Sequence, residues 1–400
     1  MTIQICGDEW MDIKTIDECF CQIRNGANIK QGISDGGYPI TRIETIANDK
    51  FNRNRMGYAG ITNLENYQSY VLEDGDLLMS HINSVQYLGR TVLYKKQGDE
   101  RIIHGMNLLC LKANKDVILP SYARYFFCTR YFREQIRTIT KKSVNQASFA
   151  VTDLKKLKIL VFPINEQRHI VDMLDRVKKV MAVRQQELQK FDELVKARFV
   201  ELFGTETELD KWHCGTVSDV ADICVGVVIK PTQYYTDIGI PAFRSLNIGE
   251  MCVKDADWVY FTEEGHRKNQ KSVVRKNDVL VVRSGAPGTA CVASEKYAGY
   301  NAVDIIIAHP DNNKVNSVFL AAFTNMPHGM NQIRAKTGGA AQQHFNVGGY
   351  KAMRLILPPI ELQEQFAAFV EQTDKSKAVI QKALDEAQLL FDSLMQEYFG

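Results

Sequence analysis

The sequence predicts an α+β chain in which two α+β domains are joined by two long helices that form an antiparallel coiled coil with pseudo-twofold symmetry. Three observations predict it. Two long segments repeat one another, each carries an apolar seam of period 3.5, and each is preceded by short β-prone runs separated by turn signals. With 400 residues, 45% of them hydrophobic and 24% charged, the chain is too long for one ordinary domain and too apolar for disorder.

Residues 1–155 make the first domain. Val71-Leu72, Leu77-Leu78-Met79, Thr91 to Tyr94 and Asn107 to Leu111 are short strand candidates, and a helix is expected around Ser121 to Thr138. This alternation predicts a strongly bent sheet with long loops. The loops hold the residue types that nucleic-acid readers use. FNRNRMGY supplies Arg53, Arg55 and Tyr58; SHINS supplies Ser80, His81 and Asn83; KKSVNQ supplies Lys141, Lys142, Ser143, Asn145 and Gln146; Lys30 lies upstream. Arg can bind guanine bidentately, Asn and Gln can bind adenine, and Lys and Ser favour phosphate. Any one of these loops, taken singly, reads better as a solvated polar loop, and the functional weight comes from their recurrence in the second domain.

Residues 156–204 make the first helical region. Positions 170, 174, 177, 181, 184, 188, 191, 195, 198 and 202 step alternately by four and three, and eight of the ten are apolar. A strict 3.5-residue period is a coiled-coil seam rather than the broader stripe of a helix on a globular core. No Pro or Gly interrupts the run between Pro163 and Gly204. A helix of about 35 residues is roughly 50 Å long and cannot be covered by one small domain. The second helical region is the expected partner; packing on its own domain or on a second copy of the chain is the alternative.

Residues 205–351 make the second domain, with strand candidates Val279 to Val282, Cys291 to Ala293 and Asp304 to Ile307 and a helix around Ser317 to Arg334. Its loops supply Arg267, Lys268, Asn269, Gln270 and Lys271 (GHRKNQK), Arg283, Ser284 and Gly285 (RSG), and Lys336, Thr337, Gln342, Gln343 and His344 (KTGGAAQQH). Faint echoes of the first domain run in the same order. Gly26 to Lys30 answers Gly226 to Lys230, Ile40 with Arg42 answers Ala242 with Arg244, and Gly75-Asp76 answers Asn277-Asp278. Gln135-Ile136-Arg137 answers Gln332-Ile333-Arg334, and Phe149 answers Phe345.

Residues 352–400 make the second helical region, with its seam at 366, 370, 373, 377, 380, 384, 387, 391, 394 and 398 and again eight of ten apolar. Pro163 to Phe203 and Pro359 to Phe399 both span 40 positions, although the Glu-Gln pairs at 166–167 and 364–365 are two residues out of step. The four regions hold 20 basic and 17 acidic, 10 and 7, 15 and 15, and 4 and 8 residues, which gives +3, +3, 0 and −4. A basic helix and an acidic helix favour each other, and their opposite charges contribute to the chain's net +2. Neither domain is strongly basic, so tight nucleic-acid binding is expected to need further subunits.

No GxxxxGK[ST] loop, no GxGxxG after a strand and no Asn-Pro-Pro-aromatic or Asp-Pro-Pro-Tyr tetrapeptide occurs, so no catalytic or cofactor site is expected in this chain. The eight histidines show no metal-ligand spacing, and nine cysteines without a CxxC pair point to reduced thiols. The acidic N-terminus and the lack of a long apolar run make a cytoplasmic, non-membrane protein the expectation.

Asp153-Leu154-Lys155-Lys156-Leu157-Lys158-Ile159 running into Pro163-Ile164-Asn165-Glu166-Gln167, and Leu357-Pro358-Pro359-Ile360-Glu361-Leu362-Gln363-Glu364-Gln365, each followed by a long helix closing in Phe-Gly, carry a resemblance along nearly the whole chain. It resembles the specificity (S) subunit of Type I restriction-modification systems, departing where Val347-Gly348-Gly349-Tyr350-Lys351 stands for Val151-Thr152-Asp153-Leu154-Lys155. The resemblance implies two target recognition domains, each reading half of a split double-stranded DNA target, and helices that fix the spacer and dock modification (methyltransferase) subunits. It also implies restriction (motor-nuclease) subunits, with S-adenosylmethionine and ATP/Mg held by those partners. Individual base contacts do not come with the resemblance. Lys30, Arg53, Arg55, Ser80, His81, Asn83, Lys141, Lys142, Asn145, Gln146, Lys230, Arg244, Arg267, Lys268, Asn269, Lys271, Arg283, Ser284, Lys336, Gln342, Gln343 and His344 are therefore expected at the DNA from residue type and loop position alone. A coiled-coil adaptor binding proteins is the competing reading.

Overall fold

The computed structural model describes residues 2–4, 10–32, 36–144, 146–337 and 344–400. The chain divides into two compact units, one of Met1–Val183 with Ala383–Gly400 and one of Arg184–Lys382, so each unit takes part of each long helix. The first unit runs β1 (Thr2–Gln4), β2 (Trp10–Thr15), α1 (Ile16–Cys19), β3 (Phe20–Asn25), β4 (Leu77–Ser80), β5 (Ile82–Asn83), β6 (Thr91–Leu93) and β7 (Leu108–Ala113). It continues with α2 (Pro120–Phe126), α3 (Arg130–Ile139), β8 (Lys141–Lys142), β9 (Ala147–Ser148), α4 (Val151–Leu154), β10 (Lys158–Val161) and the start of α5 (Ile164–Phe203). The second unit runs β11 (Cys214–Thr216), α6 (Val217–Val220), β12 (Ala221–Val225), β13 (Tyr235–Thr236), β14 (Ile240–Phe243), β15 (Val259–Phe261), α7 (Glu263–Lys268), β16 (Val279–Val282) and β17 (Ala290–Val292). It ends with β18 (Asn301–Ala302), β19 (Ile305–Pro310), α8 (Ser317–Asn325), α9 (Pro327–Thr337), α10 (Val347–Lys351), β20 (Arg354–Ile356) and the start of α11 (Ile360–Phe399).

The main sheets have the same order in both units, β3-β7-β4-β6 and β12-β19-β16-β17, and every pairing in them is antiparallel. Their central strands are apolar along most of their length because both faces are covered, with Ser80, Lys112 and His309 standing towards the strand ends. Leu77, Met79, Leu109 and Leu111 face the helices, while Leu78, Leu108 and Cys110 face a second core with Tyr94 and Ile102. Val279, Val281, Ile306 and Ala308 repeat the first face and Leu280, Val282, Ile305 and Ile307 the second. Small satellite sheets, β1-β2-β10 and β5-β9-β8 in one unit, β11-β20 and β13-β15-β14-β18 in the other, stand where the sequence predicts one bent sheet.

The single helix expected in each domain is broken into two. In the first unit Thr129 interrupts it, its Oγ1 accepting from the Phe132 N–H at 3.2 Å and so capping α3. In the second, Pro327 starts α9, where its missing N–H costs nothing, whereas a proline inside a continuous helix would break it. The departure at Val347 to Lys351 changes little, since α4 and α10 occupy matching places before β10 and β20.

All ten seam positions of each long helix are buried or half-buried, the polar Arg184, Arg198, Thr373 and Lys377 included. In the first unit the Phe162 ring lies 6.2 Å from Tyr398 and Lys178 Nζ lies 5.1 Å from the Phe391 ring. In the second, Lys377 Nζ meets Asp192 Oδ1 at 2.7 Å and Phe199 packs edge-on to Phe366 at 5.4 Å. In both units one residue number falls as the other rises, so the helices pack antiparallel. Arg198 joins the seam by laying its guanidinium over Phe369 at 5.7 Å.

A buried glutamine seats each helix. Gln167 Oε1 accepts from the Leu119 N–H at 2.8 Å, and its Nε2 donates to the carbonyls of Val117 and Phe162 at 2.9 and 2.7 Å. Gln363, not Gln365, is its counterpart. Its Oε1 accepts from the Asn316 N–H at 2.9 Å and its Nε2 donates to the Pro358 carbonyl at 2.8 Å. The two-residue slip between the Glu-Gln pairs is thus an accident of composition, and Pro-Ile-x-x-Gln is in step in both helices.

Candidate nucleic-acid interface

In the first unit the loops SHINS and KKSVNQ meet. β5 pairs with β9 (Ile82↔Ser148, Asn83↔Ala147), and β8 pairs with β9 on its other side (Lys141↔Ser148, Lys142↔Ala147). The β8–β9 turn is closed by the Ser143 N–H donating to the Gln146 carbonyl at 2.8 Å, and Lys141, Lys142 and Gln146 project from it exposed. Val144, at the tip, is 100% exposed. Asn145 lies outside the described residues. Asn83 is half-buried, its Nδ2 donating to Ser80 Oγ at 3.2 Å. Ser80 and His81 are buried behind this edge. Burial pushes the His81 imidazole down to about 4, so it is neutral and packs edge-on to Phe149 at 6.2 Å.

The second unit builds the same edge from different residues. A bridge joins Ser284 to His344, the position of Ile82↔Ser148, and the Phe345 N–H donates to the Arg283 carbonyl at 2.9 Å as the Phe149 N–H does to that of His81 at 3.2 Å. Arg283 therefore stands where the first unit has His81. It is 8% exposed, with Nη1 on Asp304 Oδ1 at 2.7 Å, Nη2 on His344 Nε2 at 2.6 Å and Nε donating to the Phe345 carbonyl at 3.3 Å. His344 Nδ1 meets Ser284 Oγ at 2.8 Å. Gln342 and Gln343 lie outside the described residues.

The other expected residues sit apart from these edges. Arg53 is committed to Glu100 through two hydrogen bonds of 2.8 and 2.6 Å, and that contact holds the Glu100 carboxyl at about 2. Lys30, Arg55 and Lys230 are exposed on loops, and Arg244 donates from Nη2 to the Asp257 carbonyl. Arg267, Lys268 and Lys271 are exposed on and after α7, Lys268 paired with Glu264 at 2.5 Å, while Asn269 caps that helix through Nδ2 on the Gly265 carbonyl at 2.7 Å. Lys336 Nζ reaches the Gly349 carbonyl at 2.9 Å. The Gly226 to Lys230 loop abuts the Arg283 cluster, because the Asp304 N–H donates to the Val227 carbonyl at 3.2 Å.

Residue-type reasoning missed a basic groove in the first unit. Arg90, Arg133 and Arg137 line it with Ser84, Gln86 and Thr140. Ser84 follows β5 and Thr140 precedes β8, so the groove runs on from the hairpin edge. Arg90 is paired with Asp49 at 3.1 Å and Arg137 with Glu134 at 2.6 Å, whereas Arg133 is exposed and has no ion pair among the described residues. The signal was present as Arg130, Arg133 and Arg137, spaced three and four apart on one helix.

Comparison with known proteins places this architecture. Residues 8–191 and 210–388 each match the family described as the Type I restriction modification DNA specificity domain, and the chain belongs to that family. It is similar to the putative type I restriction enzyme MjaX specificity subunit of Methanocaldococcus jannaschii, 27% identical over 400 residues that cover 94% of this chain and 91% of that protein. The StySPI specificity subunit of Salmonella potsdam is 22% identical over 91% of this chain and 81% of its own length. Among solved structures, the Type I restriction-modification S subunit from M. genitalium shares the fold at 16% identity and a TM-score of 0.58, covering 100% of this chain and 98% of that one. A chain solved in work on complex assembly and conformational transition of the type I R-M system gives 0.57 at 16% identity and 97% of each chain. The role of this chain is that of a specificity subunit. Among the described residues no helix is long and apolar enough to cross a membrane.

Proposed function

We propose that each α+β domain reads one half of a bipartite double-stranded DNA target, and that the paired helices set the spacer and dock two methyltransferase subunits. Adenine N6 methylation from S-adenosylmethionine is the work of those subunits, and ATP/Mg-dependent cleavage that of restriction subunits; this chain selects the site and carries no reacting group. The observation that supports this reading best is the repeated edge, one backbone frame presenting Asn83, Lys141, Lys142 and Gln146 in one unit and Ser284 and His344 in the other. Exposed Lys30, Arg55, Lys230, Arg267, Lys268, Lys271 and Lys336 supply phosphate contacts, which carry affinity but little sequence information.

Mapping methylated adenines in a host genome with and without this gene tests it. Replacing residues 1–155 by another domain of the family changes one half-site and keeps the other, and adding one heptad to each helix alters the spacer. A change in both half-sites from the single exchange contradicts the modular reading. Assembly that ignores salt and competitor DNA favours the protein adaptor instead, since phosphate contacts make DNA affinity fall steeply with salt.

A further inference from the structure

The cluster at the second unit's edge has a built-in direction. A guanidinium carries only donors, so His344 Nε2, 2.6 Å from Arg283 Nη2, must accept. The ring is then neutral with its proton on Nδ1, and that N–H donates to Ser284 Oγ at 2.8 Å. Ser284 therefore spends a lone pair on His344, and its own O–H proton has no acceptor among the described residues. Asp304 anchors the other end of the chain. Its residue sits at φ 49, its N–H is tied to the Val227 carbonyl, and its Oδ1 takes Arg283 Nη1 at 2.7 Å. Four residues from three chain segments thus form one relay of hydrogen bonds, anchored inside and open at the surface.

We propose that Arg283 is a positioning residue rather than a base reader, and that it locks His344 in the Nδ1–H form so that Ser284 presents a hydroxyl donor to an acceptor atom of the second half-site. This rests on the reading that the edge faces DNA. An arginine chosen by residue type would be assigned directly to guanine. Its enclosure by Phe345, Asp304 and His344 instead leaves the contact to the Ser284 hydroxyl, which it orients through His344.

The test uses the full chain labelled with 15N-histidine, free and assembled with its methyltransferase subunits. Comparison with His344→Asn assigns the His344 ring signal, which is expected to show a protonated Nδ1 and a bare Nε2 near neutral pH; a ring protonated on Nε2, or on both nitrogens, overturns the proposal. In Arg283→Gln the ring moves to the Nε2–H form, while Ser284→Ala keeps Nδ1–H but lowers binding of the methylation complex to its target by about tenfold, the cost of roughly one mismatched pair. Because Ser284 is a half-buried edge residue, that variant folds and keeps its first half-site. If Ser284→Ala and His344→Asn leave target affinity and the methylated motif unchanged while the complex still binds its site, the positioning proposal fails and the specificity function stands. If the wild-type complex has no preference for any bipartite site, the underlying reading fails instead.

Discussion

The two units build one frame and furnish it differently. Both carry Asp-centred clamps at the turn into the central strand, Asp76 accepting from the Glu73 N–H at 2.8 Å and Asp278 from the Arg275 N–H at 2.6 Å. In the first unit the buried Asp76 is met by Lys112 at 3.3 Å, in the second Asp278 by His309 Nδ1 at 2.6 Å. Gln135 and Gln332 each bracket the start of the strand before a long helix, through the N–H and carbonyl of Lys158 and of Arg354. Where a residue serves the backbone its type is kept. Where it serves a side-chain partner or the surface edge, as with His81 against Arg283, it is free to change so long as its neighbours change with it.

The frame is best broken at the glutamines. Gln167→Ala strands three backbone groups and is expected to destabilise the first unit by about 3–4 kcal/mol, and Gln363→Ala, with two, the second by about 2–3 kcal/mol. Gln365→Ala, exposed, changes stability by no more than about 0.5 kcal/mol. Urea midpoints with hydrogen exchange, which locates the loss, distinguish the three.

Acidity separates the units next. Hydrogen bonding to Asp278, and then to Cys224, raises His309 to about 9. A folded-state value above the usual ~6.5 means a contribution fully present below pH ~6.5 and lost as pH rises through about 9. Since His309 is largely buried, this is on the order of 2–3 kcal/mol. Thermal melting of the wild type is expected to fall between pH 6 and pH 9.5 in the second unit, with His309→Gln flat over that range. In the first unit, burial works against the Lys112 charge, but Glu73 and Asp76 hold its pKa above the ordinary lysine value, so its ion pair persists there. A melt of Lys112→Gln with the same pH slope as the wild type sharpens the contrast.

The smallest effect lies in the basic groove. Arg133→Gln with Arg137→Gln is expected to reduce the slope of log affinity against log salt by about two and to leave the methylated motif unchanged. The second unit has Met330 and Arg334 at the corresponding places of α9, so Arg334→Gln alone lowers the slope by about one. A changed motif would make the groove a reader rather than a phosphate channel.

Much of the frame was legible because it depends on periodicity. The 3.5-residue seam located the buried face of both helices, and the bounding Pro163, Gly204, Pro359 and Gly400 marked their ends. The 40 residues of each helix exceed the roughly 35 expected. Five weak echoes fall at matching places in the two domains, down to Arg42 and Arg244 opening equivalent turns through N–H bonds to Thr45 and Asn247. The helix breaks at Thr129 and Pro327 were overlooked although both carry local signals, a capping threonine and a proline. The register of Gln363 was not legible, since a buried glutamine is recognised by three-dimensional acceptors and not by its neighbour in sequence. Residue type found the two edges but could not sort Arg53 and Arg283, whose charges are committed to Glu100 and Asp304 from distant segments, from the exposed Lys141 and Lys142.

The glutamine seats use only main-chain atoms, those of the segments before α2 and α8 and the carbonyls of Phe162 and Pro358 just ahead of the long helices. Such a socket is blind to the side chains it receives. A foreign domain whose chain follows the same path there would seat on the resident helix without adjusting a single contact of the clamp. Exchange of whole domains between related genes would therefore leave each seat intact, and the cost in folding would fall on the side-chain core, where Tyr122 and Phe126 meet Phe399 and Phe319 meets Phe199.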